Sequence, residues 1–408
     1  MGLKKTGVLG SAGFFAALAL VSCGGSGPFP PTPSPSATPT PTPTPPPPVT
    51  GLNQSAAIAS FARPWAVKIL PDGRMLVTQR TAPGVLSIVS ALGVITGVVG
   101  LPDTIGLLDV ALDPDFAANR RIYFTAMVQD LSAPRVGRGA ANPALFPERM
   151  VAFRAVLMES VGSAQLGSVQ EIFRQVPTIV TFAGSGEPGG RMAFATDGAL
   201  LITSGDRQEL DPAFLFALDN NLGKIVRILP DGRVPAGNPF VATSGARPEI
   251  WTFGHRNQYG LAFAPDGDLW SSEHGPKGGD EFNLIRPGSN YGWPTVSNGS
   301  QYDDTPIPDH APGDGFVAPA FSWTPVIAPA GMIFYRGNVF GSWRGDALLT
   351  GLSSTALVRV RVNGATASEV QRIDLGARIR DVAEGPDGSL YILTDGVTGE
   401  LRKLTPVF

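Results

Sequence analysis

Short apolar runs separated by turn residues are the dominant pattern along this chain. Runs of this length, bounded by glycine, proline, aspartate or asparagine, are typical of β-strands, whereas helices need a longer apolar face. The clearest runs lie at residues 65–69, 75–77, 122–125, 199–203, 225–228 and 390–393. The pattern predicts an all-β protein in which residues 212–222 favour a helix with Asp211 as its N-cap.

A Pro-Asp-Gly turn, or a close variant of it, recurs between the predicted strands. Proline presets the φ angle of one turn residue and glycine accepts a positive φ, so the tripeptide favours tight hairpins. It recurs at residues 71–73, 196–198, 230–232, 265–267 and 386–388. Asp72, Asp197, Asp266 and Asp387 are separated by about two, one and two multiples of about 60 residues. We therefore predict a six-bladed β-propeller over residues 51–408. Two packed β-sandwiches are the alternative that this pattern leaves open.

The N-terminal residues have the features of a targeting segment. Residues 1–22 carry two lysines near their start, Lys4 and Lys5, and continue as a short apolar stretch that ends just before Cys23. The sequence Leu-Val-Ser-Cys resembles the cleavage box of bacterial lipoproteins, in which the cysteine is lipidated. An ordinary secretory signal with an incidental cysteine is the alternative. Because Gly24 and Gly25 follow Cys23, without an aspartate to signal retention, we predict an outer-membrane anchor facing the periplasm.

Proline, threonine and serine dominate the segment that follows. Residues 23–50 include four consecutive prolines and are predicted to form an extended spacer without a core.

Charge and cysteine content exclude several classes of function. The net charge is −3 and basic residues form no long run, so nucleic acid is not an expected partner. No second apolar span is present, and the expected membrane contact is the lipid anchor alone. Cys23 is the only cysteine, so the chain forms no internal disulfide.

Candidate chemistry is concentrated in residues 250–294, IWTFGHRNQYGLAFAPDGDLWSSEHGPKGGDEFNLIRPGSNYGWP. This segment, together with RIRDVAEGPDG at residues 378–388, resembles the soluble pyrroloquinoline quinone (PQQ)-dependent aldose sugar dehydrogenases, the glucose/sorbosone dehydrogenase family. Matching pieces extend from about residue 61 to residue 406. The resemblance implies a six-bladed propeller that oxidises aldose sugars or related alcohols with PQQ and calcium. Hydride would pass from the sugar C1 to the quinone, and the next electron acceptor stays open.

The resemblance also implies a set of cofactor-binding residues. PQQ carries three carboxylates, which planar guanidinium groups bind in a bidentate manner. Arg378 and Arg380 are two residues apart, so on a strand both side chains share one face. The family's matching arginines bind PQQ, and Arg256 and Asn257 match the pair near the quinone carbonyls. A solvated strand face is the alternative for Arg378 and Arg380.

Four residues match calcium positions of the family. The backbone carbonyls of Gly275 and Pro276 would hold the calcium bound to the cofactor, since hard cations prefer oxygen ligands. Glu281 and Tyr291 match positions of further structural calcium. A polar turn that needs no metal is the alternative.

The catalytic base departs from the family pattern. Glu187 stands where the family has a histidine, four residues before Arg191, and Asp206 matches the acid beside that base. A glutamate can act as a base if its environment raises its pKa. His255 is expected to pack or cap rather than to catalyse. A cofactor lysine of the family is also missing, because Ser353 and Ser354 occupy its approximate position.

These departures leave two other functions open. One is a non-catalytic propeller that binds an anion or a sugar. The other is a calcium-dependent hydrolase of the lactonase type, with Glu187, Asp206 and Asn257 converging on one ion. Substrate selection is expected from loops at residues 129–148 and 298–315, whose composition does not encode a particular sugar.

Overall fold

The computed structural model describes Gly27 and residues 46–182 and 186–408. The signal segment, Cys23 and most of the proline-rich spacer therefore lie outside the described residues. The compact unit spans Pro45–Phe408 and consists almost entirely of strands, which confirms the all-β prediction. Among the described residues, no helix is long and apolar enough to cross a membrane.

The described strands form six antiparallel blades of a β-propeller. Blade 1 contains β3 (Pro64–Ile69), β4 (Met75–Gln79), β5 (Val85–Val89) and β6 (Ile95–Val99). Blade 2 contains β7 (Gly106–Leu112), β8 (Arg121–Gln129), β9 (Glu148–Ser160) and β10 (Ser163–Arg174). Blade 3 contains β11 (Gly189–Phe194), β12 (Leu200–Ser204), β13 (Lys224–Ile228) and β14 (Ile250–Phe253).

The second half of the chain continues the same order. Blade 4 contains β15 (Gln258–Phe263), β16 (Leu269–Glu273), β18 (Asp280–Leu284) and β20 (Phe321–Trp323), with β17 (Lys277–Gly278) and β19 (Gly299–Ser300) forming a small ribbon beside it. Blade 5 contains β21 (Pro329–Phe334), β22 (Ala347–Gly351), β23 (Ala356–Asn363) and β24 (Thr366–Asp374). Blade 6 contains β25 (Ile379–Glu384), β26 (Leu390–Thr394) and β27 (Thr398–Val407), completed by β1 (Gly51–Gln54) and β2 (Ala59–Ala62).

The first strands of the six blades contact one another in a closed ring, in the order β3, β7, β11, β15, β21 and β25. A ring of inner strands is the arrangement of a six-bladed propeller around a central channel, so the fold prediction is confirmed. Blades 1 and 2 are also joined at their outer edges, where β6 and β10 pair in parallel with Val98 opposite Ala164. Because every blade runs in the same sense, the N-terminal ends of the inner strands meet at one mouth of the channel.

Four of the five recurrent turns connect the first and second strands of blades 1, 3, 4 and 6. In each turn the aspartate side chain accepts a hydrogen bond from the amide two residues later, which is the Asx-turn that stabilises the bend. These aspartates are Asp72, Asp197, Asp266 and Asp387. The fifth turn, at residues 230–232, follows β13 and leads into a longer loop. In blades 2 and 5 the equivalent connections contain helix α1 (Phe116–Asn119) and a 3-10 helix at Gly341–Trp343.

The predicted helix is shorter than expected. Helix α2 spans Pro212–Phe216 and ends well before residue 222, although Asp211 caps its N-terminus through the amide of Ala213. The Asn220 side chain donates to the carbonyls of Phe214 and Ala217, which another helical turn would need for its own amides.

Arg191 in β11 lies inside the channel and links several blades. Its Nη1 is 3.3 Å from a carboxylate oxygen of Asp109, and its Nη2 is 3.1 Å from one of Asp381. Its Nε donates to the carbonyl of Tyr259 at 2.7 Å, and its guanidinium packs 4.2 Å from the ring centre of Trp65. One buried side chain of blade 3 therefore contacts blades 1, 2, 4 and 6.

The residues just before β1 already belong to the folded unit. The Val49 side chain is buried in the core of blades 5 and 6. Its amide donates to the Ser342 hydroxyl, and its carbonyl accepts from the Gln371 side chain.

We expect a protein that starts at Gly51 to unfold at lower urea concentration than one that starts at Pro46. Burial of a valine side chain contributes about 1.5 to 3 kcal/mol, and two hydrogen bonds are lost with it. Urea unfolding followed by tryptophan fluorescence measures the difference. A Val49→Ala variant of the longer protein is the matched control, and it should lose a part of the same free energy of unfolding. Equal midpoints for both starting points would contradict the prediction.

Candidate functional site

The predicted site residues reach the same mouth of the channel because of their positions in the blades. Glu187 precedes β11, Arg256 and Asn257 precede β15, and Arg378 precedes β25. Each of these strands is the inner strand of its blade, so residues far apart in sequence gather around the channel opening. Loops on rigid strand ends are common positions for binding and catalytic groups.

Glu187 and Arg256 form a direct ion pair. A carboxylate oxygen of Glu187 accepts from Nη2 of Arg256 at 2.5 Å, and both side chains are nearly buried. Glu187 also has a positive φ of 49°, which is unusual for a residue with a side chain. Such backbone strain persists only where the surroundings hold it, and it is often found at functional sites.

Asp206 lies behind Glu187 and is fully buried. Its carboxyl group accepts from the indole N–H of Trp293 at 2.7 Å and from the amide of Gln208 at 2.9 Å. Burial raises the pKa of Asp206 well above its usual value, and the neighbouring carboxylate of Glu187 raises it further. The raised pKa favours the protonated form of Asp206, which can share its proton with Glu187, while Arg256 pairs with Glu187.

This environment makes the stability of the protein depend on pH. In the unfolded chain Asp206 ionises near pH 4, whereas in the folded protein its pKa is raised, so folding favours the protonated form. The contribution of Asp206 is therefore present below about pH 4 and is lost as pH rises toward its folded-state pKa. We expect Asp206→Asn to abolish this decrease in the free energy of unfolding, because asparagine does not ionise.

Urea unfolding of Asp206→Asn and wild type between pH 4 and 9 tests this expectation. The unfolding free energy of the variant should rise relative to that of the wild type as pH increases. Asp211→Asn is the control, because Asp211 lies at the surface as a helix cap. Parallel curves for Asp206→Asn and the wild type would contradict the assignment.

Arg256 connects the carboxyl pair to the predicted calcium loop. Its Nη1 donates to the carbonyls of His274 and Gly275 at 3.3 and 3.2 Å. Its Nη2 also contacts the phenol oxygen of Tyr302 at 3.1 Å. The amide oxygen of Asn257 accepts from the backbone N–H of Gly189, which ties the start of β11 to this loop.

His274 contacts one of the predicted arginines, because its carbonyl accepts a hydrogen bond from Nη1 of Arg256 at 3.3 Å. Burial is the main cause that lowers the pKa of His274 to about 3, and the positive charges of Arg256, Arg380 and Arg378 act in the same direction. His274 is therefore neutral, with its Nε2 2.7 Å from the Pro329 carbonyl. Sequence reasoning gave His274 no role, although it belongs to the EHGP motif.

Arg378 and Arg380 share a carboxylate partner that the sequence analysis missed. Nε of Arg378 is 2.9 Å from one oxygen of Asp395, and Nη2 of Arg380 is 2.7 Å from the other. Arg378 also donates to the Leu352 carbonyl, next to Ser353 and Ser354. Both arginines thus point the same way from β25, and Asp395 orients them. No motif marks Asp395 in the sequence.

The predicted calcium positions have defined partners in this structure. The Gly275 amide donates to Asp280, whose pKa burial raises to about 6. The Gly275 carbonyl accepts one bond from Arg256, and a carbonyl oxygen has a second lone pair for a cation. Among the described residues, no group of three or more His, Cys, Asp or Glu side chains is placed to hold a metal.

Glu281 and Tyr291 lie deeper in blade 4. Glu281 accepts from the Asn283 amide, and its other oxygen is 3.7 Å from Nε2 of His310. The Tyr291 hydroxyl donates to the Leu284 carbonyl and accepts from the Arg286 amide, so it is already engaged on both counts. A calcium role for Glu281 and Tyr291 therefore stays a prediction.

His255 is a structural residue, as expected. It is fully buried, with Nδ1 2.8 Å from Glu273 and Nε2 2.9 Å from the Thr252 hydroxyl. Its ring stacks on Tyr291 at 4.4 Å. Because Glu273 also accepts from the Arg256 amide, His255 supports the site from behind.

Aromatic side chains surround the opening above Glu187. A pocket of about 150 Å³ is lined by Glu187 and Arg256 together with Trp293, Phe182 and Tyr302. Phe182 and Tyr302 are 65% and 70% exposed, so their faces are available to a ligand. Tyr302 and Arg138, which also lines the pocket, come from the two loops in which substrate selection is expected. Trp323 does not line this pocket, because it is buried in the core, where its indole N–H donates to Glu369.

Comparison with known proteins assigns the family. A sequence model described as Glucose / Sorbosone dehydrogenase matches residues 61–403. The chain belongs to this family. It is 38% identical over 356 residues to the aldose sugar dehydrogenase YliI of Escherichia coli, covering 84% of this chain and 90% of that protein.

Two solved structures are similar over nearly the whole propeller. The soluble aldose sugar dehydrogenase of Escherichia coli in its apo-form has a TM-score of 0.77 at 35% identity, covering 87% of this chain and all of that one (100%). The PQQ-bound aldose sugar dehydrogenase of Streptomyces coelicolor has a TM-score of 0.66 at 26% identity, with 87% and 98% covered.

The departure from the family pattern at Glu187, where a histidine is expected, stays a prediction. In this structure Glu187 and Asp206 are neighbouring carboxyl groups. The ion pair with Arg256 provides the counter-charge that a neutral histidine would not need. In sequence alone Glu187 is visible only as a departure, because its pairing depends on the meeting of blades 3 and 4.

Proposed function

We propose that this chain is a PQQ- and calcium-dependent dehydrogenase that oxidises aldose sugars or related alcohols at C1. The observation that carries this proposal is the gathering of Arg256, Arg378 and Arg380 at one mouth of the channel, together with the carboxyl groups of Glu187 and Asp206. Membership in the family and similarity to sugar dehydrogenases over the whole propeller support the same activity.

The charges at the mouth fit the cofactor. Arg256, Arg378 and Arg380 would hold the carboxylates and quinone oxygens of PQQ, with Asn257 beside them. When bound, PQQ supplies a quinone that accepts a hydride. His274 is neutral, so the positive charge that would bind the carboxylates comes from the arginines.

Glu187 is the base in this proposal. Removing the hydroxyl proton of the sugar requires an ionised acceptor within hydrogen-bonding distance. Glu187 forms an ion pair with Arg256, and the raised pKa of Asp206 favours a protonated carboxyl group that can donate to Glu187 and fix its orientation. Glu187 lines the pocket, so its carboxylate can meet a hydroxyl group held there.

The pocket suits a sugar ring. Its volume of about 150 Å³ is smaller than that of typical drug-sized sites. Exposed Phe182 and Tyr302 provide apolar faces, and Glu187 and Arg256 provide polar groups for hydroxyls. The calcium part of the proposal rests on the carbonyls of Gly275 and Pro276 and on the lone pair that Gly275 retains.

We place the enzyme in the cell envelope, lipid-anchored through Cys23 and facing the periplasm. This part of the proposal rests on the signal segment, Cys23 and the proline-rich spacer of residues 23–50.

Calorimetric titration of the protein from Pro46 onward with PQQ, with and without calcium, tests the proposed function. Reduction of a dye with a panel of aldoses follows as the activity readout. We expect calcium-dependent PQQ binding and turnover. Binding without turnover would leave a non-catalytic binding propeller, and no binding at micromolar PQQ would exclude the dehydrogenase.

The geometry favours the dehydrogenase over the lactonase-type hydrolase. Such a hydrolase needs Glu187, Asp206 and Asn257 to converge on one ion. Here Glu187 pairs with Arg256, Asp206 accepts from Trp293, and Asn257 accepts from Gly189.

A further inference from the structure

A second and larger cavity lies at the same mouth, on the side of blades 1, 2 and 6. Its volume is about 520 Å³, and it shares no lining residue with the pocket that contains Glu187. Its walls include Arg63, Trp65, Arg80, Ile105, Arg380 and Asp395.

The lining of the cavity holds more guanidinium groups than carboxylates. Arg63, Arg80 and Arg380 line it together with Asp395, and Arg80 has a further partner of its own. Asp395 already accepts hydrogen bonds from both Arg378 and Arg380. An anion is the ligand that such a lining favours, because planar guanidinium groups bind carboxylates through paired hydrogen bonds.

The backbone holds Arg63 in an uncommon conformation at this cavity. Its φ is 45°, in the left-handed region. Residues with a side chain populate this region on the order of tenfold less than the ordinary regions, or less still. The Arg63 amide donates to the Val397 carbonyl, and its own carbonyl accepts from the Arg80 amide. Arg63 and Arg80 are thus coupled directly through the backbone. In the described part of the chain, no hydrogen bond or ion pair engages the Arg63 guanidinium.

The other walls distinguish the ligand from a simple ion. Ile105 provides apolar surface, whereas Trp65 is only 1% exposed and its buried indole N–H has no hydrogen-bond partner among the described residues. An organic acid with a flat or ring-shaped body satisfies both the apolar and the cationic walls, whereas inorganic phosphate satisfies only the second.

We propose that Arg63 and Arg80, together with Arg380, form a carboxylate-binding subsite. This inference rests on the proposed function, which supplies two sources of the carboxylate. One source is the cofactor, one of whose carboxylates would then be held by Arg63 and Arg80. The other is a sugar acid, such as a uronate, bound as substrate.

Arg63→Gln, Arg80→Gln and the double variant test the subsite. Calorimetry with PQQ and, separately, with glucuronate measures each ligand directly, without turnover. If the cofactor supplies the carboxylate, each single variant should weaken PQQ binding by roughly 10- to 100-fold, the usual range for losing a hydrogen bond to a charged group. If the substrate supplies it, PQQ affinity is unchanged and glucuronate binding falls instead, while KM for glucose stays constant.

Arg233→Gln is the matched control, because Arg233 is an exposed arginine at the turn after β13. Thermal unfolding of each variant checks that the fold is intact. If the wild type binds glucuronate but not PQQ, and Arg63→Gln weakens the binding of glucuronate, the subsite is supported and the proposed function is excluded. Unchanged affinities for both ligands in the double variant, or a wild type that binds neither, would overturn the subsite.

Discussion

Replacing Glu187 by glutamine should lower kcat for aldose oxidation by about 10²- to 10⁴-fold, the usual contribution of a positioned general base. Glutamine keeps the size of the side chain and can still accept a hydrogen bond from Arg256 through its oxygen. It has no carboxylate to take the hydroxyl proton, so only proton removal is affected. The affinity for PQQ should be unchanged, since Arg256, Arg378 and Arg380 are all retained.

The stability of this variant adds a second readout. Glu187 raises the pKa of buried Asp206, and the two carboxyl groups repel each other when both are ionised. In Glu187→Gln this repulsion is absent, and Asp206 can ionise and balance the charge of Arg256, so the variant should be about as stable as the wild type at pH 8, although it is inactive. Glu171→Gln, at an exposed position of blade 2, is the control for activity. Undiminished turnover in Glu187→Gln would require another base and would remove Glu187 from the proposal.

Replacing Arg191 by methionine should lower the free energy of unfolding by about 3 to 5 kcal/mol, the usual effect of removing one partner from a buried ion pair. Methionine fills much of the same space, so the loss comes from charge rather than volume. Asp109 and Asp381 would remain buried without a counter-charge, and the Tyr259 carbonyl would lose its donor. Urea unfolding followed by tryptophan fluorescence measures the effect.

A compensating variant distinguishes charge from packing. Arg191→Met combined with Asp109→Asn and Asp381→Asn should regain part of the loss, because the uncompensated charges are gone. Arg344→Met, at an exposed position of blade 5, should leave the midpoint unchanged. A loss below about 1 kcal/mol for Arg191→Met would show that solvent or a shift of the strands neutralises the two carboxylates.

The fold was predictable because its signals are local. The Pro-Asp-Gly turns identify the inner hairpins of blades 1, 3, 4 and 6, and their spacing leads to six blades. Blades 2 and 5 lack the signal because α1 and the 3-10 helix replace the turn. The helix over residues 212–222 was predicted too long because the effect of Asn220 depends on its side-chain hydrogen bonds.

The site was predictable only where a motif carries it. Arg256, Asn257, Arg378 and Arg380 lie in recognisable segments, and the structure brings them to one mouth. Asp395, Arg63 and Arg80 lie outside those segments, and their roles depend on the meeting of blades 1 and 6. The pairing of Glu187 with Arg256 also joins two blades, so no spacing along the chain reveals it.

Blade 6 has a consequence for the order in which the protein folds. Its outer strands β1 and β2 pair with β27, so Gly51 lies opposite Val407. Contacts between such distant residues form late, since closing a long loop must precede them. The first five blades can assemble as an open arc while the ends remain apart. The final step is then the pairing of β1 and β2, near the N-terminal end, with β27 at the C-terminal end. The mouth with its arginines becomes complete only at that step.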